Sequence, residues 1–451
     1  MKNVNYSSTS ATGNDHSEIR TGIREALSKT GKGGIKQNIP NIMYIFENDP
    51  YFKGKFRFNE LTERIDLVGD FNWTRSGISV TDTDMNFINM YLDTHYDINN
   101  DKRMLQALDI AANNNRYHPI KDFLDSLVWD GTERVRFALH RFLGADTSDL
   151  TYESLKLFLL GAVERIFNPG CKFEYMLCLV GGQGAGKSTF FRFLAVNDEW
   201  FSDDIRKLED ENIYRKLQGH WIIEMSEMIA TSNAKSIEEI KSFISRQKET
   251  YKVPYEIHPA DRPRQCVFGG TSNKKQFLPG DRTGNRRFLP VSCNPEAAEV
   301  HILDDEQASR AYISQMWAEI MEIYRKRDYR LCLPDGINSK MTDHQQEFIP
   351  EDSDESAILG FLEETMEEYV CSKMLYHEAL KHPEYDIPHK WELNAINEIM
   401  IVSASGWKQG PQHRFDKYGQ QRSWIRKDHE ATGGFLKIPE SALKDIPFVD
   451  P

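Results

Sequence analysis

Gly181, Gly186, Lys187 and Ser188 fall at the spacing GxxxxGKS within GGQGAGKST, residues 181–189. Glycines let a backbone wrap closely enough for its N–H groups to surround phosphate oxygens, and a helix that starts inside the turn adds the positive end of its dipole. In such a loop the lysine reaches the terminal phosphates and the following hydroxyl ligates Mg²⁺. The pattern predicts that Gly181, Gly182, Gln183, Gly184, Ala185, Gly186, Lys187, Ser188 and Thr189 hold ATP, with Mg²⁺ on Ser188. An ordinary Gly-rich turn is the competing reading. Context weighs against it, because the apolar run MLCLV precedes the motif and the helix-like FFRFLA follows it.

Three later segments carry groups that would complete phosphoryl chemistry. HWIIEMSEM, residues 220–228, is an apolar strand ending in acids, as a group that holds Mg²⁺ and polarises an attacking water must be. Glu224 and Glu227 are the candidates, and Glu224, which ends the apolar run, is the first choice for metal or water. QCVFGGTSN, residues 265–273, is a third strand ending in polar residues, where Asn273 could orient water against the γ-phosphate or simply be a buried turn residue. DRTGNRRF, residues 281–288, places Arg282, Arg286 and Arg287 on a Gly-containing loop, a source of the guanidinium that neutralises charge on a transferred phosphoryl group. Nucleic-acid binding or a solvated surface are the alternatives for these arginines.

The elements that position these groups follow from periodicity. YESLKLFLLGAVERIF, residues 152–167, has apolar residues at helical spacing and leads through NPGCKFE into the buried strand MLCLV. Upstream, residues 31–130 mix short β-like runs (KFRFN, RIDLV, GISV) with helical periodicity in MNFINMYLDTHY and RMLQALDIAANN, a small α/β domain. The polar residues 1–30 read as a disordered leader, 131–345 as the P-loop domain, and EDSDES at 351–356 as a linker. Beyond it, in residues 356–451, KWELNAINEIMIVSASGW reads as a helix and HRFDKYGQQRSWIRK as two strands about a turn near Tyr418 and Gly419, suggesting a winged helix. Arg414, Lys417, Arg422 and Arg426, interleaved with Phe415, Tyr418 and Trp424, could grip phosphates while the aromatics stack; a plain structural hairpin with Trp424 in its core is the other reading.

At 451 residues the chain is long enough for two or three domains. Its formal net charge of −13 alone argues against nucleic acid, but the charge is segregated. Residues 347–371 hold nine acids and no base, whereas 407–427 hold six bases against one acid and 241–287 eleven against four. Those two basic stretches could form local positive surfaces. Six cysteines without CxxC spacing fit neither a zinc module nor a disulfide framework, and with no secretory or membrane segment they point to a reducing cytoplasm.

With the four phosphate-related segments in this order, residues 118–292 resemble the virulence-associated E family, superfamily 3-like helicases of the AAA+ class found in phages and mobile elements. HPIKDFLDSLVWDGTERV at 118–135 and FLPGDRTGNRRFLPV at 277–291 carry the resemblance more specifically than the P-loop does. It implies an α/β ATPase core and a hexamer around single-stranded or forked DNA, with Arg286 or Arg287, assisted by Arg282, reaching the neighbouring subunit's site. It also implies a pore-lining hairpin at 246–265, in which Lys252, His258 and Arg264 would contact DNA. Host replication proteins are further expected partners, a bacterial host's cytoplasm the expected location, and no primase activity is expected. The function so implied is ATP-dependent helicase or translocase work in replication of a phage, prophage or pathogenicity island. A nucleotide-gated initiator without processive unwinding and a P-loop kinase stand beside it.

Overall fold

The computed structural model of the chain describes residues 13–205, 213–227, 234–251, 260–278, 285–350 and 353–427. The expectations for Lys252, His258 and Arg282 lie outside the described residues. By packing, the chain divides into two compact units, 1–349 and 350–451.

The first unit opens with helix α1 (Gly13–Ala26). The leader expected over residues 1–30 is therefore helical from Gly13, because Ile23 and Leu27, one turn apart, are buried in an apolar cluster that runs on to Ala112. The same layer contains α2 (Ile39–Asn48), β1 (Phe56–Asn59), β2 (Arg64–Leu67), α3 (Asp82–Tyr96), α4 (Asp101–Asn113) and β3 (Arg116–Tyr117). Strand β1 lies between β2, to which it is antiparallel, and β3, to which it is parallel. Thr81 starts α3 with a reciprocal cap, its hydroxyl accepting from the Asp84 amide while Asp84 accepts from the Thr81 amide. GISV, expected as a strand, contributes one bridge, Ser79 to Asp66.

Helix α5 (Pro119–Ser126) buries Ile120 and Leu124 in the next core, so packing changes near residue 118 and not at the expected 130. There follow α6 (Val135–Leu143), α7 (Asp149–Phe167), β4 (Met176–Val180), α8 (Lys187–Leu194), β5 (Phe201–Ser202), α9 (Ile213–Leu217) and β6 (Ile222–Ser226). A helix at Ala234–Ser245 leads to the antiparallel pair β7 (Lys248–Tyr251) and β8 (Ala260–Pro263), then β9 (Val267–Ser272) and β10 (Phe288–Ser292). Five strands form an all-parallel sheet in the order β10-β4-β9-β6-β5. All five residues of β4 are buried, which is why a parallel strand covered on both faces reads as an unbroken apolar run. A Cβ on Gly269 would lie 2.5 Å from the ring of Phe191, so glycine is what lets α8 pack this tightly on β9. Trp221, at the foot of β6, and Trp317, on the helix Glu306–Lys326, are fully buried and stack with centroids 4.4 Å apart.

The second unit begins with a helix at Ser353–Glu364, inside the expected linker. Its first turn carries Asp354 and Glu355, acids that favour a helix amino terminus over an extended linker. β11 (Tyr369–Val370), a helix at Lys390–Val402, β12 (Trp407–Phe415) and β13 (Gly419–Arg426) complete it, with antiparallel sheet order β11-β13-β12. Trp407 and Trp424 are buried in its core. Among the described residues no helix is long and apolar enough to cross a membrane.

Candidate functional site

In a parallel sheet every strand delivers its carboxyl end to the same edge, and a ligand crevice forms outside that edge. β4, β6 and β9 are paired so that Val180 lies opposite Ser272, and Ser226 opposite Thr271. The residues that follow these strands therefore meet.

The P-loop leaves β4 at Gly181, where a Cβ would sit 2.4 Å from the carbonyl oxygen of Cys293, and passes through left-handed conformations at Gly184 (φ 82°) and Gly186 (φ 79°) that side chains resist. Gly186 caps α8, so the amides at the start of that helix face the loop's interior. Lys187 is 7 % exposed and its Nζ donates to the carbonyl oxygens of Gly181 (2.8 Å) and Gly182 (2.7 Å) and to Oδ1 of Asn273 (3.1 Å). Burial pulls its pKa below the usual lysine value.

A second set of bonds surrounds Glu224. Ser188 Oγ donates to its Oε1 at 2.7 Å and Thr271 Oγ1 to the same oxygen at 2.6 Å. Oε2 is buried without a hydrogen-bond partner, and Glu224 as a whole is 1 % exposed. Burial pushes its pKa up, against the pull of the Thr271 and Ser188 hydroxyls, and the nearby charge of Asp203 adds to the rise. An orphaned carboxylate oxygen beside a serine hydroxyl is the donor set that a divalent, oxygen-seeking cation fits.

Glu227 stands one residue beyond β6 in a left-handed conformation (φ 53°). Its amide donates to the Thr271 carbonyl (3.0 Å), and its Oε1 accepts from the Asn273 amide (2.7 Å). The two candidate glutamates, of which Glu224 is the first choice from sequence, are separated by position: Glu224 faces Ser188 within the sheet, and Glu227 holds the backbone of Asn273 at the rim. Gln183, Gly184, Ala185, Thr189, Glu227 and Asn273 are among the residues lining the cleft over this edge.

Sequence reasoning missed three contributors. Thr271 binds Glu224 directly, and the signal was available in the TSN triplet, two residues before the one singled out. Asp203 follows β5, a strand of only two residues, and lines a cleft with Ser188 and Glu224; so short a strand leaves almost no periodicity to read. His301 lines the cleft over the P-loop from beyond β10 and had no motif to mark it.

The arginines lie elsewhere. Arg286 and Arg287 immediately precede β10, whose Phe288 pairs with Met176 at the beginning of β4, so they occupy the opposite edge of the sheet from the P-loop. Arg286 pairs with Glu174 (3.3 Å), and Arg287 pairs with Glu174 (3.4 Å) and donates to Ser245 Oγ (2.9 Å). Arg264, expected to contact DNA, is 3 % exposed: it pairs with Glu249, donates to the Phe243 carbonyl at 2.6 Å and lies against the Phe243 and Phe268 rings. Its guanidinium holds the hairpin base together and is not presented outward. Arg426 is likewise structural, donating to the carbonyls of Leu362 (3.0 Å) and Thr365 (2.7 Å) and covering Trp407. Arg414 and Arg422 are exposed on the β12–β13 hairpin, with Lys417 at its turn.

The buried Glu224 predicts a stability trade. Its folded-state pKa is raised, so folding favours the protonated form; that contribution is full below the unfolded-state pKa and lost as pH rises through the folded-state value. Glu224→Gln is therefore expected to raise the melting temperature of the nucleotide-free protein at neutral pH, with the gap closing on acidification. Melting curves of both proteins across pH check this, and a lower melting temperature for the glutamine variant at neutral pH would refute it.

One of three comparisons with known proteins, that with family models, agrees with the sequence resemblance. No curated protein matches the chain. Among solved structures it is similar to "The apo structure of NrS-1 C terminal region (305-718)", at 13 % identity and a TM-score of 0.46, covering 82 % of this chain and 95 % of that one. It is also similar to "SCCmec type IV Cch - active helicase", at 10 % identity and a TM-score of 0.30, covering 67 % and 71 %. Likenesses that distant carry no argument about the site. The family model for the virulence-associated protein E-like domain, by contrast, matches residues 124–350, a stretch that contains the P-loop, Glu224, Glu227, Asn273 and the Arg286–Arg287 pair. Spanning half of the chain and enclosing its P-loop, that match shows that the chain belongs to the virulence-associated protein E-like family.

Proposed function

We propose that the protein is an ATP- and Mg²⁺-dependent DNA helicase or translocase that acts in replication of a phage or other mobile element, with ATP hydrolysed between subunits of a ring. The observation that carries this reading is the separation of Arg286 and Arg287 from the P-loop. They stand at the amino edge of β10 and the loop at the carboxyl edge of β4, a five-residue strand apart, about 16 Å. That distance exceeds an arginine's reach, so a guanidinium from this pair acts on phosphate only in a neighbouring subunit, in an AAA+-like arrangement.

Within one subunit the roles divide. Lys187, released from the Gly181 and Gly182 carbonyls, moves its three donors to the terminal phosphates, while Asn273, freed with it, orients water. Ser188 and Glu224 would hold Mg²⁺, which when bound neutralises charge on the phosphates. Glu227 fixes the Asn273 backbone. Arg414, Lys417 and Arg422, exposed on the winged-helix-like second unit, serve as phosphate contacts to DNA.

The test is ATP hydrolysis by the purified protein with and without single-stranded DNA. A motor is stimulated by DNA. A rate indifferent to DNA would sink the motor reading, and transfer of phosphate to an acceptor other than water would replace it with a kinase.

A further inference from the structure

The β7–β8 hairpin is gripped at its base by the amino-terminal layer. Between β1 and β2, residues 59–63 form a turn stiffened from within: Asn59 Oδ1 accepts from the amides of Leu61 (3.0 Å) and Thr62 (3.3 Å), its Nδ2 donates to the buried Asp66 (2.9 Å), and Glu63 adopts a left-handed conformation (φ 52°). The turn reaches into the P-loop core. Leu61 is 3 % exposed and belongs to that core's apolar cluster, although the layer around it has a cluster of its own.

Four contacts surround this inserted leucine. Glu63 forms an ion pair with Arg262, the third residue of β8. The Gln265 side-chain amide donates to the Glu60 carbonyl (3.0 Å), while its Oε1 is bonded to the buried His118 ring (2.7 Å). Gln218 Nε2 donates to the Thr62 carbonyl (2.5 Å). Gly219, left-handed at φ 84°, allows Thr62 to approach to 3.3 Å of where a Cβ would stand. Arg262 and Gln265 lie on the exit side of the hairpin, on the path into β9, whose far end carries Thr271 and Asn273.

A β-strand with neighbours on both sides is a stiff connector, and β9 lies between β4 and β6. A displacement at Gln265 is passed along it to the catalytic edge if the base is held, and is absorbed locally if it is loose. We propose that the turn at residues 59–63 is the positioning element of the hairpin, fixing its exit strand through Glu63–Arg262 and Glu60–Gln265 so that DNA engaged by the hairpin is sensed at Thr271 and Asn273. The inference rests on the DNA-dependent ATPase reading above for its consequence, but the clamp itself does not depend on that reading.

The experiment uses the full chain with Glu63→Arg, Gln265→Met and the charge-swapped pair Glu63→Arg/Arg262→Glu. Two quantities are read: amide hydrogen exchange over residues 248–251 and 260–265, and the ratio of ATP hydrolysis with a single-stranded oligonucleotide to hydrolysis without it. Glu63→Arg is expected to raise exchange in these segments and to lower the stimulation ratio at least about fivefold, the low end of usual coupling energies, with hydrolysis in the absence of DNA unchanged. Gln265→Met, which brings in no charge, should act in the same direction, and the charge-swapped pair should recover both readouts. Unchanged exchange in both single variants would overturn the clamp. Raised exchange with an intact stimulation ratio would overturn the coupling. A wild-type protein that DNA fails to stimulate would instead refute the motor reading, leaving exchange as the test of the clamp.

Discussion

Lys187→Ala is expected to lower ATP turnover by about 10²–10³-fold or more, the usual cost of deleting one preorganised donor to a charged transition state. Its ammonium already sits among three oxygen acceptors at the mouth of the P-loop, so the change on binding is an exchange of carbonyls for phosphates, with little reorganisation. The loss belongs to chemistry and to phosphate binding, not to folding. Burial disfavours the charged form of Lys187, so the alanine variant should melt no lower than the wild type. Steady-state phosphate release and melting curves on the same samples check both halves. Turnover within a few-fold of wild type would mean that the loop does not bind the reacting phosphates.

The second large effect separates action in cis from action in trans. A protein carrying Arg286→Ala and Arg287→Ala together should lose about 10³–10⁵ in turnover, the contribution of an arginine that neutralises a transferring phosphoryl group. Mixed with the Lys187→Ala protein, which is inactive for a different reason, it should regain activity. At equal ratios about a quarter of interfaces in a randomly mixed ring pair an intact P-loop with an intact arginine pair. Phosphate release from mixtures over a range of ratios is the measurement. Recovery follows if the arginines serve a neighbour, whereas two inactive proteins that stay inactive when mixed place the arginines outside the reaction. Glu174 gives the control: the pair rests on it in the isolated subunit, and Ser245 binds Arg287 from the other side, so the arginines are held in place before any neighbour arrives.

The P-loop edge of the sheet was readable in the sequence because its signals are local. The P-loop is a fixed spacing of special residue types, and MLCLV, WIIEM and CVFGG are runs that only strands buried on both faces would carry. Glu224 is the sequence's first choice of the two glutamates and does face the serine, whereas the place of Glu227 was not readable, since it depends on strand register and on a left-handed turn that no composition announces. The arginines mark the other limit. Arg264 and Arg426 were counted with their basic neighbours as DNA contacts, yet a guanidinium with carbonyl oxygens and an aromatic face within reach is as well satisfied indoors, and the structure buries one and ties down the other. The helix at Gly13–Ala26 was missed for a related reason: two buried apolar side chains suffice to dock it, too few to stand out in a polar segment. Thr271 and Asp203 became neighbours of Glu224 only through pairings between segments far apart in the chain.

The order of strands also bears on how the protein is made. β4, which launches the P-loop, has β9 and β10 as its two neighbours, and both are synthesised some ninety or more residues after it. Until the ribosome has delivered Ser272 both edges of an entirely apolar strand lack their native partners, and one edge lacks its partner until Ser292, the condition in which strands find wrong ones. Fragments ending between β6 and β10 should accordingly be poorly soluble, and synthesis of the intact chain should benefit from rapid elongation or a holding chaperone over that interval.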